Sequence, residues 1–301
     1  MAESRRRRQG LYSRGAPMRA ASLFALTTAA LLTATGVAAA HETGWRQVGH
    51  TTAENRISGE GLTTLRLPGH APEIVYRNGA TIPQPLKDEG WGHVGDPDSL
   101  RGYVFDVYQD TVNPTPARKM YLVTKPDGST TEFVHPLAPD EPAANANAQV
   151  AATPDGQWLV SGPLGQIDRL FVSPTPFLNP RGPKTAGDLP VAARIHLDHP
   201  IRSAQGCDFV GPTQLICATS DPYNDLFPTN LQLLRIDLPR PLTGHDVTAK
   251  VREIGQVPLA STCTGTFTPE GVDYDAGVLR VEVVPPSPCN TVTDVYSFER
   301  R

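Results

Sequence analysis

The sequence predicts an all-β fold, and within that class a β-propeller of five four-stranded blades. Thirty prolines and 26 glycines are spread along the chain and leave little room for long helices. The apolar segments are short and rich in β-branched and aromatic residues, and turn signals such as Pro-Asp-Gly separate them. We expect a short helix or turn only around residues 243–255.

A repeat of similar units organises these strands. Trp91, Ala148, Gln205 and Thr264 take equivalent places in four units and are separated by 57, 57 and 59 residues. Each unit has a small or polar start, a short strand, a turn with proline and a second apolar strand, and further strands follow. Four strands per unit are typical of a propeller blade. The four anchor residues should therefore lie on the innermost strands of successive blades.

The first and last units are incomplete. Residues 57–79 supply a shortened first blade, and the last unit stops after its third strand, at residues 291–301. The segment at residues 43–50 is therefore expected to complete the terminal blade. The alternative is a pair of β-sandwiches in which similar strands recur by chance.

Residues 1–40 have the pattern of a secretory signal peptide, and residues 41–301 are expected to form a single domain. Six arginines precede an apolar run that ends at Ala40, which predicts Sec-type export and cleavage after that residue. A retained membrane anchor is the alternative, and Met18 is a second candidate start. Without this segment the chain has 21 basic and 30 acidic residues, a net charge near −9, which disfavours nucleic acid and anionic membranes as partners.

Four cysteines in an exported chain predict two disulfide bonds. Four cysteines permit three pairings, and the pairs Cys207–Cys217 and Cys263–Cys289 keep each bridge inside one blade. The turn at Gly211-Pro212 would bring the first pair face to face on adjacent strands. Metal ligation is the alternative, but the chain has no CxxC spacing. We expect structural bridges, no metal and no other cofactor.

The channel mouth is the predicted ligand-binding site, because the first strands of propeller blades meet there. Amides, one imidazole and two carboxylates suit a polar or carbohydrate ligand. The residues are Trp91, His93, Asp96, Asn147, Gln149, Gln205, Asp208 and Thr264. The pocket itself should be formed by His93, Gln149, Gln205 and Asp208, with Trp91 at its rim and available to stack on a sugar ring. The alternative is that these side chains satisfy one another and buried waters.

Two further polar stretches have a plainer interpretation. His196 and Asp198 lie on one face of a predicted strand and His199 on the other, so a shared metal site is not expected. Residues 221–230 form a long loop that offers ligands for a small molecule or for weak calcium binding, although turn-forming residues in a turn need no function.

The lack of known catalytic motifs favours ligand binding over catalysis. The chain has no GxSxG, SxxK or HExxH motif and no glycine loop of the phosphate-binding type. We therefore predict a secreted, monomeric binding module for a cell-wall glycan, a peptide or a partner protein. The alternative is a glycosidase-like or lactonase-like propeller hydrolase that uses Asp96, Asp208 and Glu270, although these residues do not occupy equivalent blade positions.

Three stretches resemble a group of actinobacterial exported proteins of unknown function. They are GWGHVGDPDSLRGYVFDVYQ from residue 90, TPDGQWLVSG from residue 153 and VEVVPPSPCNTVTDVYSF from residue 281. The resemblance extends over nearly all of residues 41–301 and implies export and a propeller-like fold, without an activity. The Pro-Asp-Gly turn before an apolar strand is also similar to TolB-like and lactonase-like blades, which occur in enzymes and binders alike.

Overall fold

The computed structural model describes residues 44–112, 118–142 and 147–301. The predicted signal peptide and its cleavage site lie outside the described residues. Within these ranges the helical segments are short: α1 (Asn55–Ser58), a 3-10 turn (Gly79–Thr81) and α2 (Gln84–Asp88). No helix in the described ranges is both long and apolar enough to span a bilayer.

The strands of the described residues build five blades in chain order. Blade 1 contains β2 (Gly61–Leu65) and β3 (Glu73–Arg77). Blade 2 contains β4 (Trp91–Val94), β5 (Asp98–Leu100), β6 (Tyr103–Asp110), β7 (Arg118–Thr124) and β8 (Thr130–Pro136). Blade 3 contains β9 (Gln149–Ala152), β10 (Trp158–Gly162), β11 (Gln166–Pro174) and β12 (Ala193–Arg202). Blade 4 contains β13 (Ala204–Gly211), β14 (Gln214–Ser220), β15 (Leu231–Asp237) and β16 (Val247–Gln256). Blade 5 contains β17 (Thr268–Asp275), β18 (Val278–Val284), β19 (Val292–Arg300) and β1 (Trp45–Glu54).

The innermost strands form a closed ring around a central channel. Strand β2 contacts β5, β5 contacts β9, β9 contacts β13, β13 contacts β17, and β17 returns to β2. Strands β4 and β5 both pair with β6, so they are two parts of one innermost strand that is interrupted at residues 95–97. Five blades around one axis confirm the predicted propeller. A pair of sandwiches would have no such ring.

The fifth blade joins the two ends of the described chain. Strand β1 pairs antiparallel with β19 from Trp45 to Glu54 and is the outermost strand of this blade. The prediction that the segment near residues 43–50 completes the terminal blade is therefore confirmed. Trp45 is buried in the apolar core that blades 4 and 5 share.

Three of the four anchor residues lie at the innermost strands of different blades, and the fourth lies ahead of its strand. Trp91 begins β4, Gln205 lies in β13, and Ala148 directly precedes β9. Thr264 lies ahead of β17, in the loop that also carries Cys263. The anchors therefore mark the beginning of the innermost strand in three blades, but not at one level, since Trp91 begins the first part of an interrupted strand and Thr264 lies outside β17.

The prediction of a helix or turn around residues 243–255 is wrong, because most of this segment is strand β16. Val247 and Ala249 are buried while Thr248 and Lys250 are exposed, which is the period-two burial of a strand. The first residues of β16 also pair in parallel with β12. This pairing joins blades 3 and 4 at their outer edges.

Glycines allow the innermost strands to approach one another closely. A Cβ atom on Gly206 would lie 2.2 Å from the carbonyl oxygen of Glu270, and one on Gly271 would lie 2.7 Å from the backbone nitrogen of Leu62. Side chains do not fit at such distances, so the ring packs backbone against backbone at this level. The channel is thereby narrowed between its two ends.

Both predicted disulfides are present. Cys207–Cys217 joins directly paired residues of β13 and β14, with the Cα atoms 4.1 Å apart. Cys263–Cys289 joins the loops that precede β17 and β19, with the Cα atoms 6.1 Å apart. Each bridge stays within one blade, and the described residues contain no free cysteine.

Candidate functional site

The central channel has two mouths. The innermost strands run in the same direction, as the parallel bridge between Asp96 and Gln149 illustrates. We call the end where these strands begin the upper mouth, and the end where they finish the lower mouth. Glu60 and Glu270 lie near the upper mouth, whereas Asp208 lies toward the lower mouth.

A pocket of about 260 Å³ occupies the lower mouth. Its walls come from the innermost strands of all five blades and from the turns that follow them. Three of its lining residues carry buried carboxyl groups: Asp98, Asp208 and Asp273. The pocket thus brings together acidic groups from blades 2, 4 and 5.

These three carboxyl groups hold the same place in their blades. In β13 and β17 the acidic residue follows a channel-wall glycine by two positions, as Gly206-Cys207-Asp208 and Gly271-Val272-Asp273. In blade 2 the corresponding stretch is Asp96-Pro97-Asp98. Residues two positions apart face the same side of a strand, so Asp208 and Asp273 face the neighbouring blade, as the glycines before them do.

Each carboxyl group also connects its blade to the next one around the ring. The acceptor and donor pairs are Asp98 Oδ2 with the N–H of Ala152, Asp208 Oδ2 with the N–H of Tyr274, and Asp273 Oδ1 with the N–H of Thr64. The other oxygens of Asp98 and Asp208 accept the N–H of the residue that follows each of them. The carboxyl groups are therefore fixed in orientation by the backbone.

The three groups differ in proton affinity. Burial raises the pKa of Asp98 to about 7, against two backbone N–H groups that favour the ionised form. Burial, together with the negative charges of Asp98 and Asp273, raises the pKa of Asp208 well above its ordinary value. Burial also raises the pKa of Asp273, but hydrogen bonds from Thr64 and the charge of Arg280 oppose the rise. Asp98 therefore titrates close to neutral pH, and the opposing influences on Asp273 are absent from Asp98 and Asp208.

The predicted pocket of His93, Gln149, Gln205 and Asp208 does not form. Nε2 of His93 lies 3.1 Å from Oε2 of Glu60, and Nε2 of Gln205 donates to the carbonyl of Pro269 at 3.1 Å, both near the upper mouth. Asp208 instead lines the lower mouth. Residues three positions apart on one strand are separated by roughly 10 Å and face opposite sides, so Gln205 and Asp208 belong to different ends of the channel.

Asp96 and Gln149 lie inside the channel and are both fully buried. Asp96 accepts the N–H of Leu62 at 3.1 Å and the N–H of Val272 at 3.2 Å, so its side chain connects blade 2 with blades 1 and 5. Burial raises the pKa of Asp96 well above its ordinary value. The amide atoms of Gln149 have no hydrogen-bond partner among the described residues. Asp96 therefore cross-links the ring and does not line an open pocket.

Trp91 does not lie at the rim of a pocket, which corrects the prediction that it stacks on a sugar. Its side chain is 1% exposed and packs in an apolar cluster with Tyr108 and Met120. The guanidinium of Arg118 lies 4.4 Å from the ring centroid. Both the cluster and this cation–π contact occupy the indole surface that a sugar would need.

No protein family model matches the chain, and no curated protein does. Solved structures with a similar backbone path include two bacterial proteins. One is a GH43 endo-arabinanase from Bacillus licheniformis, with 10% identity and a TM-score of 0.46, covering 84% of this chain and 95% of the arabinanase chain. The other is a glycosyl hydrolase from Bacteroides ovatus, with 12% identity and a TM-score of 0.38, covering 70% of this chain and 67% of the other. Such a likeness does not transfer an activity.

The remaining polar stretches serve the fold. Nε2 of His196 lies 3.4 Å from a carboxyl oxygen of Asp246, and Asp198 accepts the N–H of Val251, so both reinforce the junction of blades 3 and 4. In the loop at residues 221–230, Arg202 forms ion pairs with both aspartates, Asp221 and Asp225. In the described part of the chain, no group of three or more His, Cys, Asp or Glu residues has the arrangement of a metal site.

Asp98 and Asp273 are the lower-mouth residues that the sequence analysis does not identify. The signal is present, because QGCDF and EGVDY share one pattern and GDPDS supplies an acidic residue at the same place. The anchors chosen from the repeat lie near the upper ends of the strands. The shared acidic residue marks the lower mouth instead.

Proposed function

We propose that the protein hydrolyses glycosidic bonds at the lower mouth of its channel. The observation that carries this proposal is the meeting of Asp98, Asp208 and Asp273 in one pocket, in environments that give them unlike proton affinities. Glycoside hydrolysis needs one carboxylic acid that donates a proton to the leaving oxygen and one carboxylate that acts on the other side of the bond. Groups whose pKa values are driven apart are suited to these two roles.

The surroundings of each group indicate its role. Burial and two neighbouring acidic groups raise the pKa of Asp208, which favours its protonated form, so we assign Asp208 the role of the acid that protonates the leaving oxygen. Asp273 lies 2.7 Å from Nη1 of Arg280, so it is the group that this cation favours as an anion, and it acts as base or nucleophile. Asp98 contributes negative charge that helps to keep Asp208 protonated.

The rest of the pocket suits a sugar. Phe209 and Tyr274 supply apolar surface, while Thr64 and Ser99 supply polar groups between the carboxyls. A small number of polar groups on an otherwise apolar wall is the usual composition of a small-molecule site. The two disulfides agree with work outside the cell, where a predicted exported protein would meet a polysaccharide.

A binding module is the second candidate, and one observation favours it. Every carboxyl oxygen of Asp98, Asp208 and Asp273 accepts at least one hydrogen bond within the protein, so these groups also have a structural role. If none of these carboxyl groups donates a proton to the glycosidic oxygen, the pocket binds a sugar without cleaving it.

Incubation of the purified protein with a panel of neutral and acidic polysaccharides separates the two candidates. We expect new reducing ends with at least one polysaccharide, in excess of the heat-denatured protein. Calorimetric binding without new reducing ends would support the binding module instead. If the protein neither binds nor cleaves any polysaccharide of the panel, both candidates are contradicted.

A further inference from the structure

A second pocket, of about 280 Å³, lies beside the lower mouth. It is formed between strands β13, β14 and β15 of blade 4 and strands β19 and β1 of blade 5. Its characteristic lining residues are Trp45, Val210, Gln214, Arg235, Arg300 and Arg301. We call it the arginine pocket. Among the described residues that line it, none has an acidic side chain.

The arginine pocket carries unbalanced positive charge. Nη2 of Arg300 donates to the carbonyl of Val210 at 3.2 Å and to the amide oxygen of Gln214 at 3.1 Å, and both acceptors are neutral. Nε of Arg235 lies 3.0 Å from Oδ1 of Asp237, whose other oxygen lies 3.5 Å from Arg252. One carboxylate is thus shared by two guanidinium groups. The local excess of positive side chains contrasts with the formal net charge of the whole chain, which is −4.

The arginine pocket adjoins the pocket of the lower mouth. Val210 lines both of them. The ring of Tyr274, which lines the lower mouth, meets the ring of Trp45 edge to face with centroids 6.0 Å apart. The guanidinium of Arg300 lies 5.3 Å from the Trp45 ring centroid. The two pockets are therefore connected by Val210, which lines both, and by the contact of Trp45 with Tyr274.

We propose that the arginine pocket is a subsite for an oxyanion on the sugar unit next to the one held at the lower mouth, so that the ligand is an acidic glycan. The inference rests on the proposed function for the class of ligand. Guanidinium groups bind carboxylate and phosphate oxygens through paired N–H donors, and an arginine has five such donors. The shared chemistry is an oxyanion, which comes either from a uronic acid or from a phosphorylated sugar.

Calorimetry at low ionic strength tests the subsite with three oligosaccharides of equal length: an oligogalacturonate, a phosphorylated oligosaccharide and a neutral one. We expect tighter binding of one acidic oligosaccharide than of the neutral one. Arg300→Ala and Arg235→Ala should each weaken the acidic binding about tenfold or more, because each removes charge-assisted hydrogen bonds. Arg46→Ala is the matched control, since Arg46 is exposed, pairs with Glu299 at 3.6 Å and does not line the pocket.

Arg300→Lys separates charge from geometry and guards against loss of folding in the alanine variants, whose melting temperatures are measured alongside. It keeps the charge but loses the paired donors, so we expect intermediate affinity with an unchanged melting temperature. Equal binding of acidic and neutral oligosaccharides, no binding of either acidic one, or arginine variants that bind like the control would each overturn the proposal.

The two proposals fail in different ways. Arginine-dependent binding of an acidic oligosaccharide without any cleavage would leave the subsite standing and remove the hydrolase function. Cleavage of an acidic polysaccharide at the same rate by the wild type and by Arg300→Ala would leave the hydrolase standing and remove the subsite.

Discussion

At the scale of single residues, the carboxyl groups of the channel each serve two purposes. Asp98, Asp208 and Asp273 accept backbone N–H groups of the next blade and also face a pocket. Burying an ionised carboxyl is costly, and that cost appears here as a raised pKa. The stability of the fold should therefore depend on pH.

We predict that the melting temperature falls as the pH rises from about 5 to about 8. The folded pKa of Asp98 is about 7, against an ordinary value near 3.8 in the unfolded chain. Its stabilising contribution is therefore complete below about pH 4 and is lost as the pH rises through about 7. Asp98→Asn should flatten this slope, because an amide does not ionise. Calorimetric melting of both proteins at several pH values checks it, and parallel slopes would contradict it.

The opposite behaviour is expected at the acid end. A hydrogen bond from Arg194 lowers the pKa of Asp140 to about 2. A group with a lowered folded pKa stabilises the protein above its unfolded pKa, and the contribution disappears as the pH falls toward 2. Stability should therefore be greatest at mildly acidic pH.

At the scale of the elements, the innermost strands depend on glycine. The Cβ of an alanine at residue 206 would approach the carbonyl oxygen of Glu270 to 2.2 Å, so the blades would have to separate. We predict that Gly206→Ala lowers the free energy of unfolding by about 1–3 kcal/mol. Gly211→Ala on the same strand is the control, because nothing lies within 4 Å of its Cβ position. Denaturant unfolding measures both, and equal stabilities would show that the ring tolerates separation.

Much of the order of the strands is predictable from the sequence. The position of a residue along its strand, nearer the upper or the lower mouth, is not. Short apolar segments and turn residues identify the strands, and the pair Cys207–Cys217 follows from its place on neighbouring strands. The innermost strand of blade 2 is interrupted at residues 95–97. The 57-residue spacing of the units does not reveal this interruption. The anchor Trp91 therefore predicts a mouth residue, whereas the strand places it in an apolar cluster. The parallel pairing of β12 with β16 is a contact of distant segments with no local signal.

At the scale of the whole molecule, β1 completes the blade whose innermost strand, β17, closes the ring on β2. Strand β1 covers the outer edge of β19 and carries Trp45 into the core shared by blades 4 and 5. Without it, β19 becomes an open edge and blade 5 loses its fourth strand. The two ends of the described chain therefore stabilise the whole propeller and not one blade alone.

We predict that a chain beginning at residue 55 does not fold cooperatively, whereas one beginning at residue 44 does. The truncation removes β1 and its pairing with β19, so the apolar surface beneath Trp45 becomes exposed. Circular dichroism and thermal melting distinguish the two chains. A cooperative transition at the same temperature in both would show that the ring closes without β1.

The most direct test of the account is the initial rate at which Asp208→Asn cleaves the polysaccharide that the wild type cleaves fastest. Asp294→Asn is the control, because Asp294 is also buried and acidic but pairs with His50 away from both pockets. We predict a loss of at least about 100-fold for Asp208→Asn, the usual contribution of a general acid, and the melting temperature is measured alongside because an amide can accept only one of the two backbone N–H groups that Asp208 accepts. A rate for a folded Asp208→Asn within about twofold of the control would contradict the placement of catalysis at the lower mouth.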